Sequence, residues 1–65
     1  MVSWRANPNG EPHEHVATID GREVLVYADR DGLQWECSLD GDVFPLEAST
    51  LGEALREAEA LVAED

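Results

Sequence analysis

Three Asp-Gly dipeptides, Asp20-Gly21, Asp31-Gly32 and Asp40-Gly41, punctuate the middle of this chain. Asp-Gly between apolar runs is a strong short-range hairpin signal, because a tight type I′ turn needs positive φ at both central residues. The intervening runs are strand-like. Residues 13–20 and 22–29 flank the first turn. Residues 33–40 alternate Leu33, Trp35, Cys37 and Leu39 with Gln34, Glu36, Ser38 and Asp40, the period of a half-buried strand. A shorter run, 43–48, follows. Pro45 inside it places it at a sheet edge, since proline gives no N–H to a ladder.

The flanks differ. Residues 1–12 hold Asn7, Pro8, Asn9, Gly10 and Pro12, residues that favour turns, and predict an N-terminal arm with Trp4 as its apolar anchor. The C-terminal segment predicts a helix. Thr50 is its N-cap and Glu53, three residues on, completes a capping box. Leu51, Ala54, Leu55, Ala58, Leu61 and Val62 fall on one helical stripe. Glu53, Glu57, Glu59 and Glu64 face away from it or flank it. The expected fold is therefore α+β: an antiparallel β-meander of three to four strands, with one C-terminal α-helix on one face. The arm is residues 1–12, and a single domain spans residues 13–65.

Strand parity constrains the register. Backbone polar groups point to alternate sides along a strand, and two-residue loops at every Asp-Gly would make both ends of residues 22–30 face the same neighbour. A type I turn on Asp29-Arg30-Asp31 with Gly32 in a left-handed bulge removes the conflict at the second turn. That choice sets Tyr27 opposite Trp35 and Leu25 opposite Cys37; the third turn keeps its conflict. The core expected from it is Leu33, Trp35, Cys37, Leu39, Phe44, Leu46, Leu55, Ala58, Leu61 and Val62.

One consequence does not depend on register. Residues 22–29 are apolar on both faces, Leu25 and Tyr27 on one, Val24, Val26 and Ala28 on the other. One helix covers one face. The second must meet the arm through Trp4, a second copy in a homodimer, or a partner, or stay an exposed patch. The candidate partner surface is therefore Trp4, Val24, Leu25, Val26 and Tyr27, together with the helix carboxylates Glu53, Glu57 and Glu59.

Charge narrows the partner. With 65 residues there is room for one domain, and the formal charge is -11. Four Arg and no Lys face fifteen acids. Such a chain cannot neutralise a row of phosphates, so direct nucleic-acid binding is excluded, as is docking on an anionic membrane. Residues 23–65 set two Arg against twelve acids. The dense carboxylates keep a small domain soluble, and they also complement a basic protein partner. Met1–Gly10 has no apolar stretch of the kind a secretory leader needs, so the expected location is cytoplasmic.

No residue set points to catalysis or to a cofactor. Cys37 is the lone cysteine, and no base stands beside it in sequence to favour a thiolate. His13 and His15 would share one face of a strand, but Cys37 lies two strands away, about 10 Å across a sheet, so no four-ligand metal site closes. Residues 36–47 place Ser38, Asp40, Gly41 and Glu47 at calcium-loop positions, yet Glu36 stands where Asp is needed and the segment sits within strand alternation. No Gly-rich phosphate loop, nucleophile elbow or triad is present in the sequence. The expectation is a non-enzymatic protein.

The patterns Tyr27-Ala-Asp-Arg-Asp-Gly-Leu-Gln-Trp35, Leu39-Asp-Gly41 and Thr50-Leu-Gly-Glu-Ala-Leu55 resemble short uncharacterised sheet-plus-helix proteins of actinobacteria and their phages, over residues 16–63. Those proteins bring no known activity with them; the expectation for this chain is a small binding module, phage-encoded and acting on a host protein in the host cytoplasm. Thr50, Glu53 and Ala54 also resemble the helix opening of HicB-type antitoxins, in which a small sheet precedes the helix. This second resemblance implies neutralisation of a small basic ribonuclease toxin, although Pro45 alone stands for the Pro-rich element ahead of that helix. A structural or assembly accessory is the third expectation.

Overall fold

A computed structural model describes residues 2–29 and 34–64. The sheet is a five-stranded antiparallel meander in the order β1 (Arg5–Ala6), β2 (His15–Ile19), β3 (Arg22–Ala28), β4 (Trp35–Leu39) and β5 (Asp42–Pro45). The helix α1 (Leu51–Glu64) packs on β3 and β4. This is the expected α+β class with one strand more. The extra strand, β1, comes from the arm, which pairs Arg5 with Val16 and Ala6 with His15.

Two turns form as their Asp-Gly residues dictate. Asp20 and Gly21 have φ of 52° and 77°, and Asp40 and Gly41 have 54° and 85°. Both residues of each turn are left-handed, which is the type I′ geometry. Ile19 faces Arg22 and Leu39 faces Asp42 across these turns. Between β3 and β4 the chain closes one residue wider than expected, where the Asp29 amide donates to the Gln34 carbonyl at 2.8 Å. The loop inside that bond, residues 30–33, lies outside the described residues, and so does the bulge expected at Gly32.

That closure corrects the expected register. Val26 faces Cys37, Ala28 faces Trp35 and Tyr27 faces Glu36. Leu25 lies opposite Ser38, not Cys37. An even-numbered loop between Asp29 and Gln34 satisfies parity at all three turns. It also turns Phe44 toward Cys37 and leaves Pro45, which has no N–H, pointing off the sheet edge. The Leu46 amide then continues the ladder to the Trp35 carbonyl at 2.8 Å.

The core is built from small side chains. Val24, Val26 and Cys37 are its largest fully buried members, joined by Ala17, Ala28, Ala54 and Ala58, with Leu39, Leu46 and Val62 nearly buried. Ala54, Ala58 and Val62, one turn apart on α1, let the helix axis approach the sheet closely. Trp35, Leu55 and Leu61 pack around this centre only partly buried. Phe44, expected inside, is 38% exposed, because on the edge strand the helix covers it only in part. Leu33 lies outside the described residues.

The helix opens as its sequence requires. The Thr50 hydroxyl accepts the Glu53 amide at 3.2 Å. The Glu53 carboxylate reaches back one residue further than in a simple capping box, accepting the Ser49 amide at 3.1 Å and the Ser49 hydroxyl at 2.9 Å. No described helix is long and apolar enough to cross a membrane.

Candidate functional site

Registers across the sheet sort every strand residue onto one of two faces. The face under α1 carries Ala17, Val24, Val26, Ala28, Trp35, Cys37, Leu39 and Phe44. The opposite face carries a complete row, Arg5–Val16–Leu25–Ser38–Val43, one residue from each strand. Beside it runs a second row, Tyr27–Glu36–Pro45, and on the other side Thr18 faces Glu23. Val16, Leu25 and Tyr27 are half-buried, and Val43 is 54% exposed. No described element lies over these rows.

The candidate residues separate accordingly. Leu25 and Tyr27 are on the open face. Val24 and Val26 are not a surface at all: both have no exposed area and lie beneath the helix, so they are corrected from partner surface to core. Trp4 is corrected as well. It shares the parity of Ala6, packs against the core on the helix side, and its indole Nε1–H donates to the Glu59 carboxylate at 2.8 Å. It cannot cover the second face.

The three helix carboxylates do structural work. Glu53 holds the cap, and its hydrogen bond from the Ser49 hydroxyl, followed by that from the Ser49 amide, lowers its pKa from the ordinary carboxylate value. Glu57 accepts the Glu47 amide with both oxygens, at 3.1 and 3.0 Å, tying the segment after β5 to the helix. Glu59 ties down Trp4. Each engages a different part of the chain, so none of the three offers its full hydrogen-bonding capacity to a partner.

The open face has its own electrostatics. Burial raises the Tyr27 pKa first, and the negative charges of Glu36, Glu11 and Glu14 add to it. The phenol thus lies in a negative field, with Glu36 opposite it on β4. Glu23 and Glu36 stand on either side of the central row, and Arg5 at its β1 end is the base on this face. The sequence contained the signal for Val16: a two-residue turn at Asp20-Gly21 places it opposite Leu25 whatever happens at the later turns. The places of Val43 and Glu36 depend on the register between β3 and β4.

Other candidate chemistry disperses. His13 is outside β2 with φ of 57°, its ring packed on Trp35 with centroids 6.1 Å apart. It therefore does not share a strand face with His15, whose Nδ1 donates to the His13 carbonyl at 2.9 Å. Among the described residues no group of His, Cys, Asp and Glu is placed to hold a metal ion. The Cys37 thiol is fully buried, and its pKa is raised by burial and then by Glu57, the opposite of what a nucleophile needs. Glu14, buried at 6% exposure, belongs to the β1–β2 loop. Its carboxylate accepts the Asn7 side-chain amide and, at 3.2 Å, the Glu11 backbone amide. A shallow groove of about 220 Å³ lies between Leu39, Phe44, Leu61 and Glu64.

Comparison with protein-family models, with curated proteins and with solved structures finds no match for this chain.

Proposed function

We propose that the protein is a small, acidic, non-enzymatic binding module that holds another protein on the open face of its sheet. One observation carries this reading: Val16, Leu25 and Tyr27 stand side by side on a face that no described element covers. A sheet with one face packed and the other apolar leaves a surface that a partner can desolvate. The sheet edges are poor alternatives. β1 is two residues long, and β5 ends in Pro45, so neither offers a run of N–H groups to an added strand. A HicB-like antitoxin is a narrower version of the same reading, with a small basic ribonuclease as the partner; the formed Thr50–Glu53 helix opening favours it.

Site-directed photo-crosslinking tests the face. A photoreactive residue is placed at Leu25, and, as a control, at exposed Ala60 on α1. In an extract of the cells that express the protein, the reading expects a defined adduct from position 25 and none from position 60. Adducts from position 60 alone would move the binding surface to the helix and refute it.

A further inference from the structure

Resting on that reading, we infer that the occupant of the open face is a basic protein segment, an amphipathic helix with Lys or Arg beside its apolar stripe, and not a second copy of this chain. Shape selects a helix. Edge pairing is blocked as above, and the opposite face already shows how this sheet is covered, by the 14-residue α1. The apolar patch is narrow, with Val16 and Leu25 adjacent on neighbouring strands and Tyr27 two residues along β3. A single apolar helix stripe is of that width.

Charge selects the sign. Five strands about 4.8 Å apart and three residue rows present about 400 Å². A face-to-face pair of copies would bury about 800 Å², below the roughly 1,200 Å² of stable interfaces. A docked helix buries no more, so area does not separate the two occupants. Electrostatics does. A pair of copies brings together two chains of -11 each, and on this face Glu23 and Glu36 of each copy outnumber its Arg5. A basic segment meets the same groups with opposite charge, and Tyr27 adds an aromatic face for a cation.

Two synthetic helical peptides with identical Leu stripes test this, one flanked by Arg and one by Glu, titrated into the protein at about 0.02 M and 0.15 M salt and followed by NMR. The Arg-flanked peptide is expected to shift the Val16, Leu25 and Tyr27 signals while leaving the Trp4 and Trp35 indoles, on the other face, unmoved. The Glu-flanked peptide should bind at least about tenfold more weakly. The double variant Glu23→Gln/Glu36→Gln, both at solvent-accessible positions, should weaken the Arg-flanked peptide several-fold and reduce its salt dependence. Equal binding of both peptides, no binding of either, or shifts confined to the outer surface of α1 would overturn the inference. Crosslinking at Leu25 tells its failure apart from failure of the docking face. A Leu25 adduct with a second copy, or with an acidic protein, keeps the face and removes the basic helix; no adduct at Leu25 and no peptide binding removes both.

Discussion

Trp4 gives the sharpest test of how this chain holds together. It docks on the helix side of the sheet and donates its indole N–H to Glu59, 55 residues away. A tryptophan packed on a core removes about 150 Å² or more from water. At about 25 cal/mol per Å², that is about 3–4 kcal/mol as an upper bound. A core of this size supplies only about 3–5 kcal/mol in total. Trp4→Ala is therefore expected to remove most of the stability. Trp4→Phe keeps most of the ring contact and loses the hydrogen bond, about 1 kcal/mol, or about 4–8 °C in Tm. Urea titration followed by far-UV circular dichroism measures both. A double-mutant cycle with Glu59→Ala should return a coupling of about 1 kcal/mol for Trp4→Phe. Trp4→Ala within about 0.5 kcal/mol of the wild type would show that the arm contributes nothing to the core.

Adjacent residues on β3 should behave oppositely: Val26→Asp is expected to unfold the protein because it buries an unpaired charge, whereas Leu25→Asp should leave a cooperative melt by circular dichroism. Gly10→Ala should cost about 1–2 kcal/mol in urea titration, because a Cβ there would collide with the Glu14 carboxylate and push it off Asn7 and Glu11. The folded pKa of Glu53 is lowered, so its contribution is complete above the ordinary carboxylate pKa and is lost as pH falls through the lowered value; Glu53→Gln should be less stable than wild type at neutral pH, with the gap closing in acid. Raising ionic strength toward 0.15 M should raise the Tm, since screening over about 8 Å relieves the self-repulsion of a chain of -11, and a Tm that falls with salt would contradict this.

The local chemistry of the fold was legible in the sequence. Asp20-Gly21 and Asp40-Gly41 form the turns their dipeptides require, Pro45 marks an edge, and Thr50 with Glu53 opens the helix. The face assignment of β3 was not legible, for a definite reason. Alternation reveals the buried face only where the other face is polar, and Val24-Leu25-Val26-Tyr27-Ala28 is apolar on both. The choice then fell to the turn after Asp29, and a one-residue difference there reverses every side chain. In the structure Ala54 and Ala58 of α1 pack with Val24 and Val26, the smaller residues of β3. For the candidate site this meant that Leu25 and Tyr27, which lie on the open face, were grouped with Val24 and Val26, which lie beneath the helix.

The strand order β1-β2-β3-β4-β5 also bears on how fast the fold forms and how long it lasts. Every ladder joins neighbours in sequence, so assembly can proceed by adding one hairpin to the next, each step on a scale of about 1–10 μs. Docking of α1 on β3 and β4 follows without a long crossover. The Trp4–Glu59 bond is different, because it closes nearly the whole chain and carries the largest loop-closure cost. A contact made after the barrier affects unfolding and leaves the folding rate unchanged. Weakening this bond should therefore shorten the lifetime of the native state while the folding limb of a chevron stays in place. The two ends of the chain would then act as a clasp that sets persistence, while the turns set speed.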